Sequence, residues 1–116
     1  MQILSYRDLE VWQLSMELVE AIYELTTLFP PDERYGLTPQ LRRAAIGVPS
    51  NISEGHPQST AVYRKYLRIA IGCQSECGTQ LELARRLKLA PDERLASVIE
   101  SNLRVRQMLY GLLRSL

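Results

Sequence analysis

The chain has 116 residues, the length of a single domain. Apolar residues make up 46% and charged residues 23%, with six glycines and six prolines, so the composition excludes a disordered or collagen-like protein. The net charge is +1, from 14 Lys and Arg against 13 Asp and Glu, so overall charge alone does not indicate a nucleic-acid binder. We therefore expect one globular domain over residues 1–116.

Charge is distributed unevenly along the chain. Residues 1–58 contain 4 basic and 8 acidic side chains, whereas residues 59–116 contain 10 basic and 5 acidic ones. Such a distribution steers an anionic partner to one part of the molecule, or lets two copies of the chain attract one another.

Neither a secretory signal nor a membrane span is expected. Residues 1–5 lack a cationic stretch followed by an apolar run, and no window approaches about 18 uninterrupted apolar residues.

Cys73 and Cys77 are an i,i+4 pair in a helical pattern, which shares a face but rarely has disulfide geometry. Helices lying on a membrane surface are the weaker alternative, because every apolar stripe has partner helices available. These features predict a cytoplasmic protein.

The first predicted helix begins at Ser5, which forms a weak capping box with Asp8, and runs to the Pro30-Pro31 break. It carries two apolar stripes at helical spacing, which predicts burial on more than one side. One stripe contains Leu9, Trp12, Met16, Val19 and Tyr23, and the other contains Val11, Leu14, Leu18, Ile22 and Leu25.

The second predicted helix has Thr38 as its N-cap, Pro39 as its first residue and Gly55 at its end. Its apolar positions are Leu41, Ala44, Ala45, Val48 and Ile52. Pro49 lies inside this pattern, where it removes a backbone donor and clashes with the preceding turn. We therefore expect a kink near Pro49.

Two further helices complete the pattern. Ser59 caps a long third helix that reaches about Leu87 and has a near-heptad seam of Tyr63, Tyr66 or Leu67, Ala70, Cys73, Cys77, Leu81 and Ala84. After the break at Ala90-Pro91, the fourth helix carries Leu95, Ile99, Leu103, Val105, Leu109, Leu112 and Leu113. No segment alternates at period two for long enough to suggest a sheet. The sequence predicts an all-α fold, an up-down-up-down antiparallel four-helix bundle.

Catalytic and metal chemistry are not indicated. His56, the only histidine, is interpreted as a surface loop residue. Cys73 and Cys77 supply two thiols, whereas a zinc site needs three or four ligands, so core packing is favoured for them. The glycines are isolated, so there is no phosphate-binding loop. We expect no catalytic residue, metal or cofactor, and an enzymatic function would require a metal or ligand near these three side chains.

Three basic groups are candidates for binding phosphates. They are Arg42 in the second helix, then Arg64, Lys65 and Arg68, and finally Arg85, Arg86 and Lys88 near the end of the third helix. Phosphate contacts by Lys and Arg are independent of sequence and sensitive to salt. Tyr63 and Tyr66 lie beside the second group and permit stacking on bases, although core or interface packing is the favoured interpretation for both.

The segment around Pro49 contains residues with predicted structural roles. Arg43 is expected to pair with Glu54, within the chain or across subunits, in preference to a nucleic-acid role for the Arg42-Arg43 pair. Asn51 is expected to satisfy backbone groups freed by Pro49.

Three segments carry a resemblance to a known family. The segment from Tyr35 to Gly55, with the letters YGLTPQLRRAAIGVPSNISEG, resembles the signature of the bacterial 23S ribosomal RNA intervening-sequence proteins. The segments YRDLEVWQ from Tyr6 and YLRIA from Tyr66, with Gln80-Leu81, are similar to that family too. The resemblance covers about residues 5 to 90. Gly47, where the family commonly has Ser, and Gly78 depart from the usual pattern.

The resemblance implies a small all-helical protein with no established activity, first noticed as a reading frame inside insertions in ribosomal RNA genes. Similar proteins form ring-shaped homopentamers. The fold is shared with the accessory protein of diversity-generating retroelements, which binds nucleic acid and a reverse transcriptase. Fold and activity are separable, so this likeness does not by itself assign a biochemical role.

These observations predict a non-enzymatic homo-oligomer, a ring-shaped pentamer on the family resemblance, that binds RNA or DNA or acts as a scaffold. The surplus apolar surface of the first and fourth helices supports subunit association. The alternative is an oligomeric adaptor that binds a partner protein and no nucleic acid.

Overall fold

The computed structural model describes residues 5–116, and all regular structure in that range is helical. The four α-helices are α1 (Glu10–Thr26), α2 (Leu37–Gly55), α3 (Thr60–Arg86) and α4 (Asp92–Ser115). Short 3-10 helices at Tyr6–Asp8 and Pro31–Glu33 precede α1 and α2. The all-α prediction is confirmed for these residues, and the expectations for residues 1–4 lie outside them.

Each α-helix packs mainly against two others. Helices α1 and α3 both contact α2 and α4, and the most extensive contact joins α2 to α3. This is the contact pattern of a four-helix bundle. The molecule measures 43 × 24 × 19 Å, and the 27 residues of α3 span nearly its whole length, about 40 Å at the rise of an α-helix.

The helix starts differ from those predicted. Ser5 and Asp8 form the predicted capping box, but they cap the 3-10 helix Tyr6–Asp8. Leu9 has an extended backbone, with φ −75° and ψ 125°, and packs against the core, so α1 begins only at Glu10. Thus the capping signal was correct and its assignment to α1 was wrong.

Helix α2 begins at Leu37, so the prediction of Thr38 as N-cap was wrong. The Leu37 N–H donates to Glu33 Oε1 at 3.0 Å, and this side chain satisfies one of the donors that a helix start leaves unpaired. The predicted end at Gly55 is confirmed. Ser59 caps α3 as predicted, because its Oγ accepts from the Val62 N–H at 3.4 Å.

The two apolar stripes of α1 are buried to different extents. Val11, Leu18, Ile22 and Leu25 are buried, whereas Met16 and Tyr23 of the other stripe are 38% and 40% exposed. The prediction of burial on more than one side therefore holds in part. Leu9, Trp12 and Val19 of the second stripe are partly buried and pack against the core, and only Met16 and Tyr23 lie on the surface.

The core face of α4 also differs from the prediction. Val98 and Asn102 are buried, while Leu103, which was assigned to the apolar seam, is 49% exposed. Buried positions 95, 98, 102, 105 and 109 recur at alternating spacings of three and four residues, which places Asn102 within the seam. The polar side chain at this position obscured the pattern.

Buried amides form part of the contact between α3 and α4. Gln74 and Asn102 are each 2% exposed, and Asn102 Nδ2 donates to the Gln74 main-chain oxygen at 3.3 Å. Within residues 5–116 the side-chain oxygens of both residues lack a hydrogen-bond partner. A hydrogen-bonded polar residue inside an apolar seam fixes the register of two helices at a cost in stability.

Helix α3 ends in a Schellman motif that uses lysine in place of glycine. The Leu89 N–H donates to the Ala84 carbonyl at 3.0 Å, and the Lys88 N–H donates to the Arg85 carbonyl at 3.1 Å. This geometry gives Lys88 a φ of 56°, in the left-handed region where a Cβ is unfavourable.

Lys88→Gly is therefore expected to raise the free energy of unfolding by about 0.5 to 1 kcal/mol, because glycine adopts this conformation without a steric penalty. Urea denaturation measures the change. Lys88→Ala is the matched control, since it removes the same charge but keeps the Cβ. An equal gain from both variants would show that charge, not backbone conformation, limits stability here.

The buried thiol of Cys77 makes stability depend on pH. Burial raises the pKa of Cys77 to about 12, with smaller contributions from Glu76 and Cys73. An unfolded thiol ionises near pH 8.5, so the unfolded chain releases its proton first as the pH rises. The stabilising contribution is complete below that value and is lost as the pH approaches the folded pKa.

Between about pH 8 and about pH 10, the wild type is expected to lose about 1 to 2 kcal/mol more unfolding free energy than Cys77→Ala. Urea denaturation of both proteins across this range measures the difference. Cys73→Ala serves as the control because it keeps the buried thiol. Parallel pH profiles for the wild type and Cys77→Ala would contradict this prediction.

Candidate functional site

The seven basic candidates do not converge on one point, and three of them are engaged within the chain. Arg42 Nε donates to Thr26 Oγ1 at 2.8 Å, and its Nη2 donates to the Tyr23 carbonyl at 3.4 Å. Its guanidinium also lies 4.3 Å from the centroid of the Tyr23 ring. Arg42 thus joins the start of α2 to the end of α1, and its phosphate-binding role stays a prediction.

Arg64 and Arg85 join the two ends of α3 to α4. The Arg64 guanidinium donates to the main-chain oxygen of Leu116. Arg85 Nε and Nη2 donate to the two carboxylate oxygens of Asp92 at 2.9 and 3.3 Å. The hydrogen bond and the charge of Asp92 raise the pKa of Arg85. This is the one ion pair among the residues that the structure describes.

The other four candidates, Lys65, Arg68, Arg86 and Lys88, are exposed. None of them forms a side-chain hydrogen bond or an ion pair with another residue of the described range 5–116. Lys65 and Arg68 lie near the start of α3, and Arg86 and Lys88 lie at or just beyond its end. At the rise of an α-helix, Arg68 and Arg86 are about 27 Å apart along the axis. The structure therefore presents two separate basic pairs.

The neighbouring tyrosines belong largely to the helix packing. Tyr63 is only 7% exposed, its hydroxyl has no partner within residues 5–116, and burial raises its pKa. The His56 ring packs edge to face on Tyr63 with centroids 5.5 Å apart. His56 lies in the turn after α2, as predicted, and it is half-buried rather than fully exposed.

Gly55 allows close packing between α2 and α3. A Cβ placed on Gly55 would lie 2.5 Å from Tyr66 Cβ and 3.3 Å from Tyr63 Cδ1. The chain thus needs glycine here for close approach of the two helices, in addition to the predicted helix end. The backbone of α2 therefore lies directly against Tyr66, which is half-buried.

Gly47 makes room for Cys73. A Cβ at Gly47 would lie 2.6 Å from Cys73 Sγ, so a serine at this position does not fit beside this cysteine without movement. Asn51 Nδ2 donates to the Gly47 carbonyl at 2.7 Å and lies 3.9 Å from Cys73 Sγ. The carbonyl that Pro49 deprives of its helical donor is that of Ala45, whereas Asn51 donates to Gly47, so this contact does not fill the role predicted for Asn51.

Arg43 and Glu54 are both exposed and make no ion pair with one another among the described residues. Eleven residues of helix separate them by about 16 Å, which is too far for contact within one chain. The intramolecular pairing is therefore wrong, and pairing across subunits stays a prediction.

The cysteines offer little reactivity. Cys73 is half-buried and Cys77 is buried, and burial raises the pKa of both thiols. Thiolate is the form that binds metals and acts as a nucleophile, so both positions favour packing over chemistry. Within residues 5–116 no three His, Cys, Asp or Glu side chains form a group that could hold a metal ion.

Arg106 follows the third basic group in the sequence but is not one of the seven candidates. This exposed side chain lies on the groove between α3 and α4, 5.6 Å from the Tyr110 ring. Its position follows from the core frame of α4, because Arg106 is four residues after the buried Asn102. Recognising Asn102 as a core residue was the signal that would have located it.

Gly47→Ala is expected to lower the free energy of unfolding by about 1 to 2 kcal/mol, because its Cβ would overlap Cys73 Sγ. In a Cys73→Ala background the same change is expected to cost less, because the overlap with Sγ is gone and only the Cβ contact at 3.2 Å remains. A double-mutant cycle measures the coupling. Gly111→Ala is the control, because a Cβ there meets nothing within 4 Å. Equal costs of Gly47→Ala in both backgrounds would contradict the proposed contact.

No helix in the described residues has the length and apolar character needed to cross a lipid bilayer.

Comparisons with known proteins give a structural neighbour and a family for this chain. None of the curated proteins matches the chain. A crystal structure of a protein with unknown function from the S23 ribosomal protein family of Bacteroides thetaiotaomicron VPI-5482 superposes with a TM-score of 0.82. That chain is 23% identical, and the match covers 90% of this chain and 95% of the other, so the two share a fold. Residues 7–111 match the family described as 23S rRNA-intervening sequence protein, and the chain belongs to that family.

Proposed function

We propose that this protein is a non-enzymatic homo-oligomer that binds nucleic acid through exposed basic side chains of α3. The observation that carries the proposal is the set of four exposed cations, Lys65, Arg68, Arg86 and Lys88, without ion-pair partners in the described range. A cation already paired with a carboxylate must lose that partner before it binds a phosphate. These four have no such cost, whereas Arg85 does.

Repetition converts these weak sites into a binding surface. A single copy has a net charge of +1, and four phosphate contacts alone give modest affinity. In a ring of five copies, which is the assembly implied by the family resemblance, each basic pair recurs five times. One nucleic acid then contacts several copies, and the second and later contacts form at a high effective concentration.

RNA is the first ligand to test. The family description refers to 23S rRNA intervening sequences. Contacts from Lys and Arg to phosphates do not read sequence, so we propose binding without strong sequence preference. Helix α3 contains two tyrosines, of which Tyr63 is buried and Tyr66 is half-buried beside Gly55. We therefore propose Tyr66 as the tyrosine that stacks on a base.

We also propose the finer details of the fold on which this surface depends. An up-down-up-down order is supported by the contacts that join the end of each helix to the start of the next, such as Arg42 with Thr26 and Arg85 with Asp92. A kink in α2 is supported by Pro49, which removes one helical hydrogen bond.

A salt titration of binding to single-stranded RNA and DNA tests the proposed function. The logarithm of the binding constant is expected to fall linearly with the logarithm of salt concentration, with a slope of about −0.7 for each phosphate contact. Lys65→Glu/Arg68→Glu is expected to weaken binding at least tenfold and to reduce the slope. Fluorescence anisotropy measures both quantities.

Arg7→Glu/Arg34→Glu is the matched control, because it changes the charge equally at exposed positions in the acidic half of the chain. Equal losses from the two double variants would indicate an effect of net charge alone. Negligible binding by the wild type at low salt would exclude a nucleic-acid ligand. Capture of a protein partner by the same oligomer would then favour the adaptor alternative.

A further inference from the structure

The surface has a groove between α3 and α4 with apolar walls. Its volume is about 540 Å³, within the range of pockets that hold small molecules. Leu83, Ile99 and Leu103 belong to its walls, and Leu83 and Leu103 are 45% and 49% exposed. A recess of this size beside exposed aliphatic side chains is typical of a binding surface.

The floor of the groove is polar. Gln74 and Asn102 line it, although each residue is only 2% exposed. Asn102 Nδ2 donates to the Gln74 main-chain oxygen, but within residues 5–116 the Gln74 side chain makes no hydrogen bond and the Asn102 side-chain oxygen has no partner. Buried polar groups without partners are costly, so these two amides indicate a ligand that supplies the missing hydrogen bonds.

Gly78 leaves the space above these amides open. A Cβ placed on Gly78 would lie 3.1 Å from Asn102 Nδ2, so any side chain at this position would cover the floor of the groove. Glycine inside a helix is unfavourable for stability. Its effect at position 78 is to keep the buried amides within reach of a molecule that enters the groove.

The groove lies between the two basic pairs of the proposed nucleic-acid surface. Its α3 wall runs from Gln74 to Arg86, and Arg68 precedes this wall by six residues, about 9 Å along the axis. Seven residues make nearly two turns of α-helix, so Arg68 lies on the same side of α3 as Ser75, which lines the groove. A strand that follows α3 from Arg68 to Arg86 therefore passes over the groove.

An arginine lies at each end of the groove. Asn102 meets Gln74, so Arg106, one turn further along α4, lies toward the start of α3, while Arg86 lies at the other end. Both arginines are exposed and make no ion pair or side-chain hydrogen bond within the part of the chain that the structure describes. Glu82 is the one acidic residue that lines the groove. Phosphates on either side of an occupant thus have cationic partners.

We infer that this groove holds one unstacked base of the bound nucleic acid, with the Gln74 carboxamide bonded to the edge of the base and Arg106 to a neighbouring phosphate. The carboxamide of glutamine or asparagine pairs with adenine through an adjacent donor and acceptor, so adenine is the expected base. Apolar walls cover the faces of a base that has left its stack. The inference rests on the proposed function and adds a base-binding site to it.

A base accounts for the whole set of groups around the groove. An aliphatic ligand would match the walls but leave the two amides unpaired. A helix of a partner protein would leave them unpaired as well when it presents apolar side chains, because its backbone groups are already bonded within the helix. A nucleotide combines apolar faces, donors and acceptors at its edge, and a phosphate that suits the arginines.

Gln74→Met tests the inference, because methionine fills a similar volume without an amide. This variant is expected to bind an oligoadenylate RNA about five- to tenfold more weakly than the wild type, with an unchanged salt slope because every phosphate contact remains. Its melting temperature is expected to stay equal or to rise, since an unpaired buried amide is removed. Fluorescence anisotropy and circular dichroism measure these quantities. A purely structural role for Gln74 would not combine weaker binding with undiminished stability.

Gln80→Met is the matched control. Gln80 is also a buried glutamine of α3 with an unpaired side-chain oxygen, but it does not line the groove. This variant is expected to bind RNA as the wild type does. An abasic strand of the same length is the second control, because it keeps the phosphates and removes the bases. The difference between the wild type and Gln74→Met is expected to disappear on that strand.

Arg106→Gln tests the same site without a change in the core. It is expected to weaken binding and to reduce the salt slope by about 0.7, the share of one phosphate contact on a single strand. Arg104→Gln is its control, since Arg104 is exposed on α4 and does not line the groove. Equal effects of these two variants would overturn the phosphate contact assigned to Arg106.

The outcomes separate this inference from the proposed function. Negligible RNA binding by the wild type would overturn both. Salt-dependent binding that Gln74→Met leaves unchanged, or that Gln74→Met and Gln80→Met weaken equally, would overturn the base site alone. An equal loss by Gln74→Met on the abasic strand would also overturn it, because the contact would then not involve a base.

Discussion

The close contact between α2 and α3 determines much of the rest of the structure. Gly47 and Gly55 bring the backbone of α2 against Cys73 and Tyr66 of α3, at distances where any larger residue on α2 would collide. This is the most extensive helix pair in the molecule. Because α2 and α3 each bury one side against the other, their remaining core-facing sides are covered by other helices. Helix α1 packs on α2, and α4 packs on α3.

Much of the fold could be predicted from residue pattern because its main signals are local. Caps and breaks at Ser59, Gly55 and Pro91 act over a few residues and agree with the helix ends that are observed. Two helix starts were misplaced for reasons that involve other parts of the chain. Leu9 packs against the core, and the Glu33 side chain supplies an acceptor that no helix-start rule anticipates.

The candidate site was less predictable, because charge in a sequence does not show which charges are already used. In the sequence, Arg42 and Arg85 cannot be told apart from an exposed arginine such as Arg86. In the structure, Arg42 contacts Thr26 and Tyr23 of α1, and Arg85 binds Asp92 of α4. These partners are 7 to 19 residues away. The buried Asn102 also made the site harder to predict. Because a polar residue was not expected in the apolar seam, the outward-facing side of α4 was assigned incorrectly.

The position of the basic pairs at the two ends of α3 sets a length scale for any polyanion that follows one subunit along its axis. A stacked strand that rises 3.4 Å per phosphate, as in a duplex, needs about eight phosphate steps to reach from Arg68 to Arg86. Shorter oligonucleotides engage one end only. The binding affinity should consequently rise sharply once the polymer is long enough to contact both basic pairs of one subunit. The length at which it rises reports the axial distance between Arg68 and Arg86.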